Sequence, residues 1–426
     1  MPEIKAFRGW RYNKEKNKDL AKVYAPPYDV ISKKQQEALY QKNPFNVIRL
    51  ELGKETPSDN AKNNKYIRAG RILSDWQSSE VLSQEESPAL YVHLQDYVEE
   101  GKKKSRLGFI AAMKINEKET LKHENTLASP KKDRMALLKE VKTNLSPIFG
   151  LFEDPQALIN RELKGALRRT PEIDVTTDGV RHRIYLETDP SVILKIKNAM
   201  RSKPMFIADG HHRFEVACQY KNWSLSKNKT AAPEASYRYV MTYFADCLNN
   251  PFKIFPTHRL VKAPKGMKDP LGALAGLGKL EKVKNLAVVL KALEKYRQDT
   301  PKKEYNFGVY TKKDGFYIFT LDSKLARRVK QNPVDSLDVA VLHSALISPV
   351  YKIHVIAKSE AIDFTRSAEE AKAKVDAGTF SAAFFLRPTS LKEMLLASKK
   401  GLKMPQKSTY FYPKLLTGLV FHSLHD

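Results

Sequence analysis

Cysteine is nearly missing from this chain: 426 residues hold only Cys218 and Cys247. Two cysteines exclude a disulfide framework and a Cys-rich zinc site. Long apolar runs are missing too. No stretch approaches the roughly 20 residues that span a bilayer, and residues 1–19, MPEIKAFRGWRYNKEKNKD, lack the apolar centre of a secretory signal. No membrane partner is expected, and the expected compartment is the cytoplasm. Neither a G-x-x-x-x-G-K-[ST] phosphate loop nor a G-x-S-x-G nucleophile turn occurs. GALAGLGKL at 272–280 lacks the third glycine of a dinucleotide fingerprint and reads as a helix ended by glycine. Internal repeats, long linkers and low-complexity tracts are absent as well.

Acidic residues are scarce relative to basic ones. Asp and Glu total 48 against 74 Lys and Arg, a net charge of +26, which favours anionic partners in general. The lysines nevertheless come as scattered groups, KKK at 102–104 and KK at 131–132 and 399–400, with no basic tail and no single basic helix. A solvated basic surface accounts for that pattern, and sequence-specific nucleic-acid recognition is not expected. Oligomeric state is not readable from the sequence.

What is present is an ordinary globular chain, 42% apolar, long enough for two domains. The expected division is an N-terminal α+β region over 1–265 and a C-terminal α/β region over 266–426. NPFNVIRLEL (43–52) reads as a turn into a strand, and NKYIRAGRILSDWQSSEVL (64–82) as a helix. PALYVHLQDYVEEGKKKSRLGFIAAMKI (88–115) reads as a hairpin and YNFGVYTKKDGFYIFTL (305–321) as another. SPKKDRMALLKEVKTN (129–144) reads as a helix with Ser129 as N-cap, Pro130 first, and Leu137, Leu138 and Val141 on one face. SPIFGLF (146–152), RHRIYLE, KPMFIA and YRYVMTYF are strand patterns. RFEVACQYK, NLAVVLKALEKY, SLDVAVLHSALI, AEEAKAKVDAG and SLKEMLLASKKG are helical, and FSAAFFL is a strand. Strands and helices mix without a steady βαβ rhythm, so the expected fold class is α+β with mixed sheets.

Three stretches carry candidate chemistry. In FIADGHHRF (206–214) an apolar strand breaks at Asp-Gly and a helical pattern follows. Gly210 supplies the turn, the helix start suits an anion, and His211, His212 and Arg213 add donors there. Asp209 would hold a Mg²⁺ ion, orient a histidine or cap the helix. Adjacent histidines diverge, unlike the i, i+4 pair of a helical zinc motif. In LKHENTLASPKKDR (121–134), Glu124 is the expected general base with His123 beside it. Lys131 and Arg134 stand in the first turns of the next helix, where positive charge opposes the dipole unless an anion binds. In FPTHRL, His258 and Arg259 follow an aromatic-rich strand and are further expected contacts to a nucleotide. PQKSTYFYPK (405–414) and APPYDVIS (25–32) add a small polar nest and a rigid turn.

Together with LDVAVLH (337–343), these stretches resemble, in order and over nearly the whole chain, the family catalogued as domain of unknown function 1015. ADGHHRFEVA is similar to the strand–turn–helix box of ParB/sulfiredoxin-like proteins, including free serine kinases. That resemblance implies a box that binds nucleotide phosphates and substrate, here Asp209, Gly210, His211, His212 and Arg213, with an upstream carboxylate as base. It implies ATP or ADP with Mg²⁺ as cofactors, and phosphoryl transfer between a nucleotide and a small hydroxylated metabolite, free L-serine foremost. The alternatives are a nucleotide- or DNA-binding ParB-like regulator and a metal-dependent phosphatase or hydrolase.

If the basic excess is a solvated surface, duplex DNA should bind weakly, without sequence preference, and with steep loss of affinity as salt rises. Fluorescence anisotropy across a salt series measures this; tight, sequence-selective binding at physiological salt would favour the regulator.

Overall fold

The computed structural model describes residues 2–126, 128–227, 232–267, 269–298, 304–354 and 359–425. The fold is α+β with mixed sheets, divided into two compact units. Met1–Lys122, Thr126–Phe252 and Pro413–Asp426 make up the first; His123–Asn125 and Lys253–Tyr412 make up the second. The division expected at 265/266 differs from this in three places. The main junction lies at 252/253, the three residues 123–125 belong with the second unit, and the last fourteen residues return to the first. No composition shift marks such returns, because they are made by long-range pairing.

The first unit is built on a nine-stranded sheet. Its strands run in the order Thr120–Leu121, Met205–Asp209, Ile148–Phe152, Tyr239–Asp246, Lys102–Lys114, Leu90–Glu99, Val180–Glu187 and Ile173–Thr177, with Ile4–Lys5 added along Lys102–Lys114. Met205–Asp209 runs parallel to Thr120–Leu121, and Tyr239–Asp246 parallel to Ile148–Phe152; the other pairs are antiparallel. The long hairpin falls where the alternation put it, turning at Glu100 and Gly101, both at positive φ (50° and 74°), as the tight hairpin turn requires.

Side chains alternate across this sheet. One face carries Leu90, Val92, Leu107, Phe109, Ile148 and Phe244 into the main apolar cluster, with Phe214, Ala217 and Cys218 of the helix His211–Lys227 packed on it. The opposite face mixes buried aromatic and aliphatic side chains with buried polar ones. Arg106, Gln95 and His182 stand in register on three neighbouring strands, each no more than 1% exposed. Arg106 donates to the Gln95 side chain and to the Pro413 carbonyl and lies over the Phe149 ring at 4.8 Å. His93 and His182 share a hydrogen bond of 3.2 Å, and burial, then Arg106, pushes His182 down to about 3. The 413–425 stretch covers its own part of this unit through Thr417 with Ala25 and Phe421 with Trp10.

Residues 43–52 differ from expectation. In place of a strand, Ile48–Glu51 forms one helical turn with Ile48, Leu50 and Glu51 all buried. Asn46 decides this: its Oδ1 accepts the Ile48 N–H at 3.0 Å while its amide donates to the carbonyls of Lys22 and Tyr24. A side chain that offers its own acceptor two residues on competes with a ladder. The helix Lys65–Ser78 follows as expected, burying Ala69, Leu73 and Trp76. The helix expected from Ser129 starts at Ala128, so Ser129 and Pro130 lie inside its first turn; Leu137, Leu138 and Val141 are buried as expected.

The second unit has a six-stranded antiparallel sheet in the order Gly278–Val283, Gly315–Leu321, Asn306–Thr311, Ala382–Phe385, His258–Val261 and Ile362–Thr365. Helices Leu286–Gln298 and Ala368–Asp376 cover one face through Val289, Leu293, Ala371 and Val375. The region SLDVAVLHSALI is helical but contains a π segment, Leu342–Ile347, between Asp338–Val341 and Ser348–Tyr351. Among the described residues no helix is long and apolar enough to cross a membrane.

Two glycines test the packing. A Cβ on Gly108 would meet the Phe244 carbonyl oxygen at 2.4 Å and the Tyr243 ring at 2.5 Å, whereas one on Gly165 meets nothing within 4 Å. Gly108→Ala should cost about 1–3 kcal/mol or more through overpacking, and Gly165→Ala should gain up to about 1 kcal/mol of helix propensity. Urea midpoints decide both.

Candidate functional site

In the first unit the Asp-Gly box forms the expected strand–turn–helix. Met205–Ala208 are buried, and a register shift between Ile207 and Asp209 against the neighbouring strand re-aims the last residue. Gly210 then takes φ +89°, and the helix His211–Lys227 begins at once, its first bond running from the Phe214 N–H to the Gly210 carbonyl at 3.0 Å. Gly210 is required twice. Its φ is left-handed, and a Cβ there would stand 3.1 Å from Nε of Arg213, so the guanidinium lies directly against the turn.

Positive groups surround Asp209. Its Oδ1 accepts the Gly210 N–H at 2.9 Å and its Oδ2 accepts from Lys414 Nζ at 2.8 Å. Burial opposes the charge, but Lys414, then Arg213 and His211, outweigh it and hold the carboxyl well below the usual carboxylate range. Arg213 is fixed by donating to Ser146 Oγ at 3.1 Å and to the Pro147 carbonyl. His211 is buried and His212 half-buried. Consecutive positions on a helix point about 100° apart, and His211 is the one that acts on Asp209. The Mg²⁺ role expected of Asp209 does not fit these surroundings: both oxygens are engaged, and the Lys414 and Arg213 cations repel a further cation.

Arg134 and Arg213 line one small cavity of about 50 Å³, together with Glu51, Asn144 and Ser146. That is room for a water molecule or two, not a nucleotide. Arg134 is 6% exposed and committed to the carbonyl and carboxylate of Glu51, at 2.7 and 3.1 Å, and to Asp133. Its guanidinium also stacks 4.3 Å over Tyr28, whose hydroxyl burial pushes up to about 12. Lys131 pairs with Glu215 at 3.0 Å, which Lys122 and Thr126 also reach. It lines a larger groove of about 740 Å³ with Asn64, Lys132, Lys139 and Gln219.

In the second unit His123–Asn125 sit on the 404–409 segment. The His123 carbonyl accepts the Met404 N–H at 2.7 Å, and His123 Nε2 meets Thr409 Oγ1 at 3.1 Å. Glu124 Oε1 accepts the Lys407 N–H at 3.3 Å, and the Asn125 carbonyl accepts from the Gln406 amide at 3.4 Å. His258 and Arg259, expected to contact a nucleotide, are 2% and 1% exposed, on a strand buried along its whole length. His258 Nδ1 accepts the Leu386 N–H at 3.3 Å, and burial, then Arg259, pushes it down to about 4. Arg259 donates to His343 and to the carbonyls of Thr257, Gln406 and Lys407.

Sequence reasoning missed Lys414, Glu215, Glu51 and His343. Lys414 closes a quoted motif, but 205 residues separate it from Asp209, and nothing local links the two.

A depressed carboxyl stabilises the native state above its ordinary value, near pH 4, and that stabilisation is lost as pH falls through the lower folded value. The stability difference between the parent and Asp209→Asn should therefore be larger at pH 7 than at pH 3. Urea melts at the two pH values measure it; an equal difference would mean that the surrounding cations do not hold the charge.

A model of the family described as a protein of unknown function, DUF1015, matches residues 4–340. No curated protein matches. Eight solved chains do. A conserved hypothetical protein from Pyrococcus furiosus is 13% identical with TM-score 0.36, covering 72% of this chain and 92% of its own. A free serine kinase variant in complex with AMP is 11% identical with TM-score 0.35, covering 71% and 87%. SbnI with a C-terminal truncation, from Staphylococcus aureus, is 11% identical with TM-score 0.33, covering 72% and 85%. With four-fifths of its length matched in one span, the chain belongs to the DUF1015 family.

Proposed function

We propose that the protein transfers a phosphoryl group between a nucleotide, ATP or ADP, and a small hydroxylated metabolite, with free L-serine as the leading acceptor. The observation that carries this reading is the charge arrangement at the start of the His211–Lys227 helix. Lys414, Arg213 and His211 gather around one carboxylate, so the net local charge is positive, and the positive end of the helix dipole points the same way. Such a place suits phosphate oxygens. Phosphoryl transfer asks the protein mainly to position groups and neutralise charge.

In the forward direction the acceptor hydroxyl oxygen attacks the terminal phosphorus. The bond from that phosphorus to the bridging oxygen breaks, and the nucleotide leaves with one phosphate fewer. The hydroxyl proton goes to a carboxylate, for which Glu124 is the proposed base with His123 beside it. Arg213, His211, His212 and Lys131 are the proposed phosphate contacts, and Asp209 holds the cations in place. His258, Arg259 and Arg134 are engaged inside their own units, and we assign them no phosphate contact.

Glu124→Gln keeps size and hydrogen bonding but cannot take the proton. It should lower turnover by about a hundred- to ten-thousand-fold, with nucleotide affinity nearly unchanged. Arg213→Ala should instead weaken binding of nucleotide or phosphoserine. Thermal shift with ATP, ADP, CTP, serine and phosphoserine reads the binding, since a ligand that binds only the native state raises the midpoint; coupled assays read turnover. A parent that turns over no pair of nucleotide and hydroxylated amino acid would refute the reaction. A fully active Glu124→Gln would place the base elsewhere.

A further inference from the structure

We infer that Arg259, backed by His343, is a positioning residue that fixes Glu124 through the backbone of residues 406 and 407. The inference rests on the reading of Glu124 as the base and adds what holds it.

Arg259 is 1% exposed, so its donors have to be answered by protein groups. Its Nη2 donates to the carbonyls of Gln406 at 3.2 Å and Lys407 at 3.3 Å. Its Nη1 donates to the Thr257 carbonyl, and Nε donates to His343 Nε2 at 3.2 Å. The guanidinium is planar and forked, with five donors in fixed directions. Here that fork anchors two successive carbonyls of one loop to one strand and one helix.

The same loop meets Glu124 and Asn125 from its other side. Lys407 has φ +56°, a left-handed conformation that turns its N–H away from the direction its carbonyl faces. The carbonyl goes to Arg259 and the N–H to Glu124 Oε1. Gln406 repeats the pattern, its carbonyl bonded by Arg259 and its side chain reaching the Asn125 carbonyl. Moving the guanidinium therefore moves the donor that orients the Glu124 carboxylate.

His343 completes the arrangement as an acceptor. Its Nε2 accepts the hydrogen bond from Arg259 Nε–H, which requires a neutral ring protonated at Nδ1. Burial, then Arg259, pushes it down to about 2, so the ring stays an acceptor throughout the neutral range. It lies in the π segment Leu342–Ile347, a helix irregularity frequent at functional sites.

Arg259→Lys keeps a charge but not the fork. Its expected effect is a fall in kcat of roughly ten- to a hundredfold, with KM for nucleotide within about twofold of the parent. Peptides covering residues 404–409 should exchange amide deuterium faster, at a melting midpoint close to the parent's. His343→Gln, which retains an acceptor, should stay near parental kcat, and His343→Leu should fall with Arg259→Lys. The double variant Glu124→Gln with Arg259→Lys should be no slower than Glu124→Gln alone, because a residue that acts through Glu124 has nothing left to position. Additive losses, or an equal loss in a substrate-binding step, would overturn the inference while leaving phosphoryl transfer standing. Turnover missing in the parent would sink the reaction, and the exchange measurement then decides the clamp by itself: unchanged exchange at 404–409 in Arg259→Lys refutes it.

Discussion

A guanidinium taken out of water must have its donors answered, and this chain buries two of them against carbonyls of one ten-residue segment. Arg106 in the first unit reaches the Pro413 carbonyl, while its neighbour Gln95 donates to that of Lys414. Arg259 in the second unit reaches Gln406 and Lys407. Neither cation lies where a solvated lysine could substitute, since each is at most 1% exposed. The demand for hydrogen bonds inside low-dielectric surroundings makes such networks rigid once satisfied. PQKSTYFYPK is thereby tied down at both ends, at 406–407 within one unit and at 413–414 within the other.

The consequence is local in each unit. In the first, the backbone held by Arg106 and Gln95 presents Lys414 to Asp209, and the resulting ion pair sits beside Arg213 and His211. Removing Lys414 would leave a largely buried carboxylate with fewer cations, which is the costly direction for such a pair. In the second, the backbone held by Arg259 presents an N–H to Glu124. Charged groups that look like ligands in a linear motif thus divide into two kinds. Arg213 stands at a helix start, whereas Arg134 and Arg259 join parts of the chain from inside.

Much of this was legible beforehand. The long hairpin at 88–115, the Asp-Gly turn and the helix after it follow from alternation, a glycine at φ +89° and a 3.6-residue apolar spacing, all of which act over a few neighbours. The strand expected at 47–52 failed because Asn46, by bonding Ile48 and two distant carbonyls, outbid a pattern only six residues long. Arg259 shows the other limit. Next to Thr257 and His258 it reads as a phosphate contact, and only burial with His343 and residues 406–407 reveals a strut.

The sequence by itself determined the α+β class, the family, and the residue types gathered in FIADGHHRF and HENT, because these depend on local geometry and on motif order. Tertiary structure alone decided which partners each cation engages. It brought Lys414 to Asp209 across 205 residues, set Glu51 under Arg134, and returned residues 413–426 to the first unit. Each of these depends on long-range pairing of buried polar groups, whose partners are chosen by the packed sheet and leave no periodic trace along the chain.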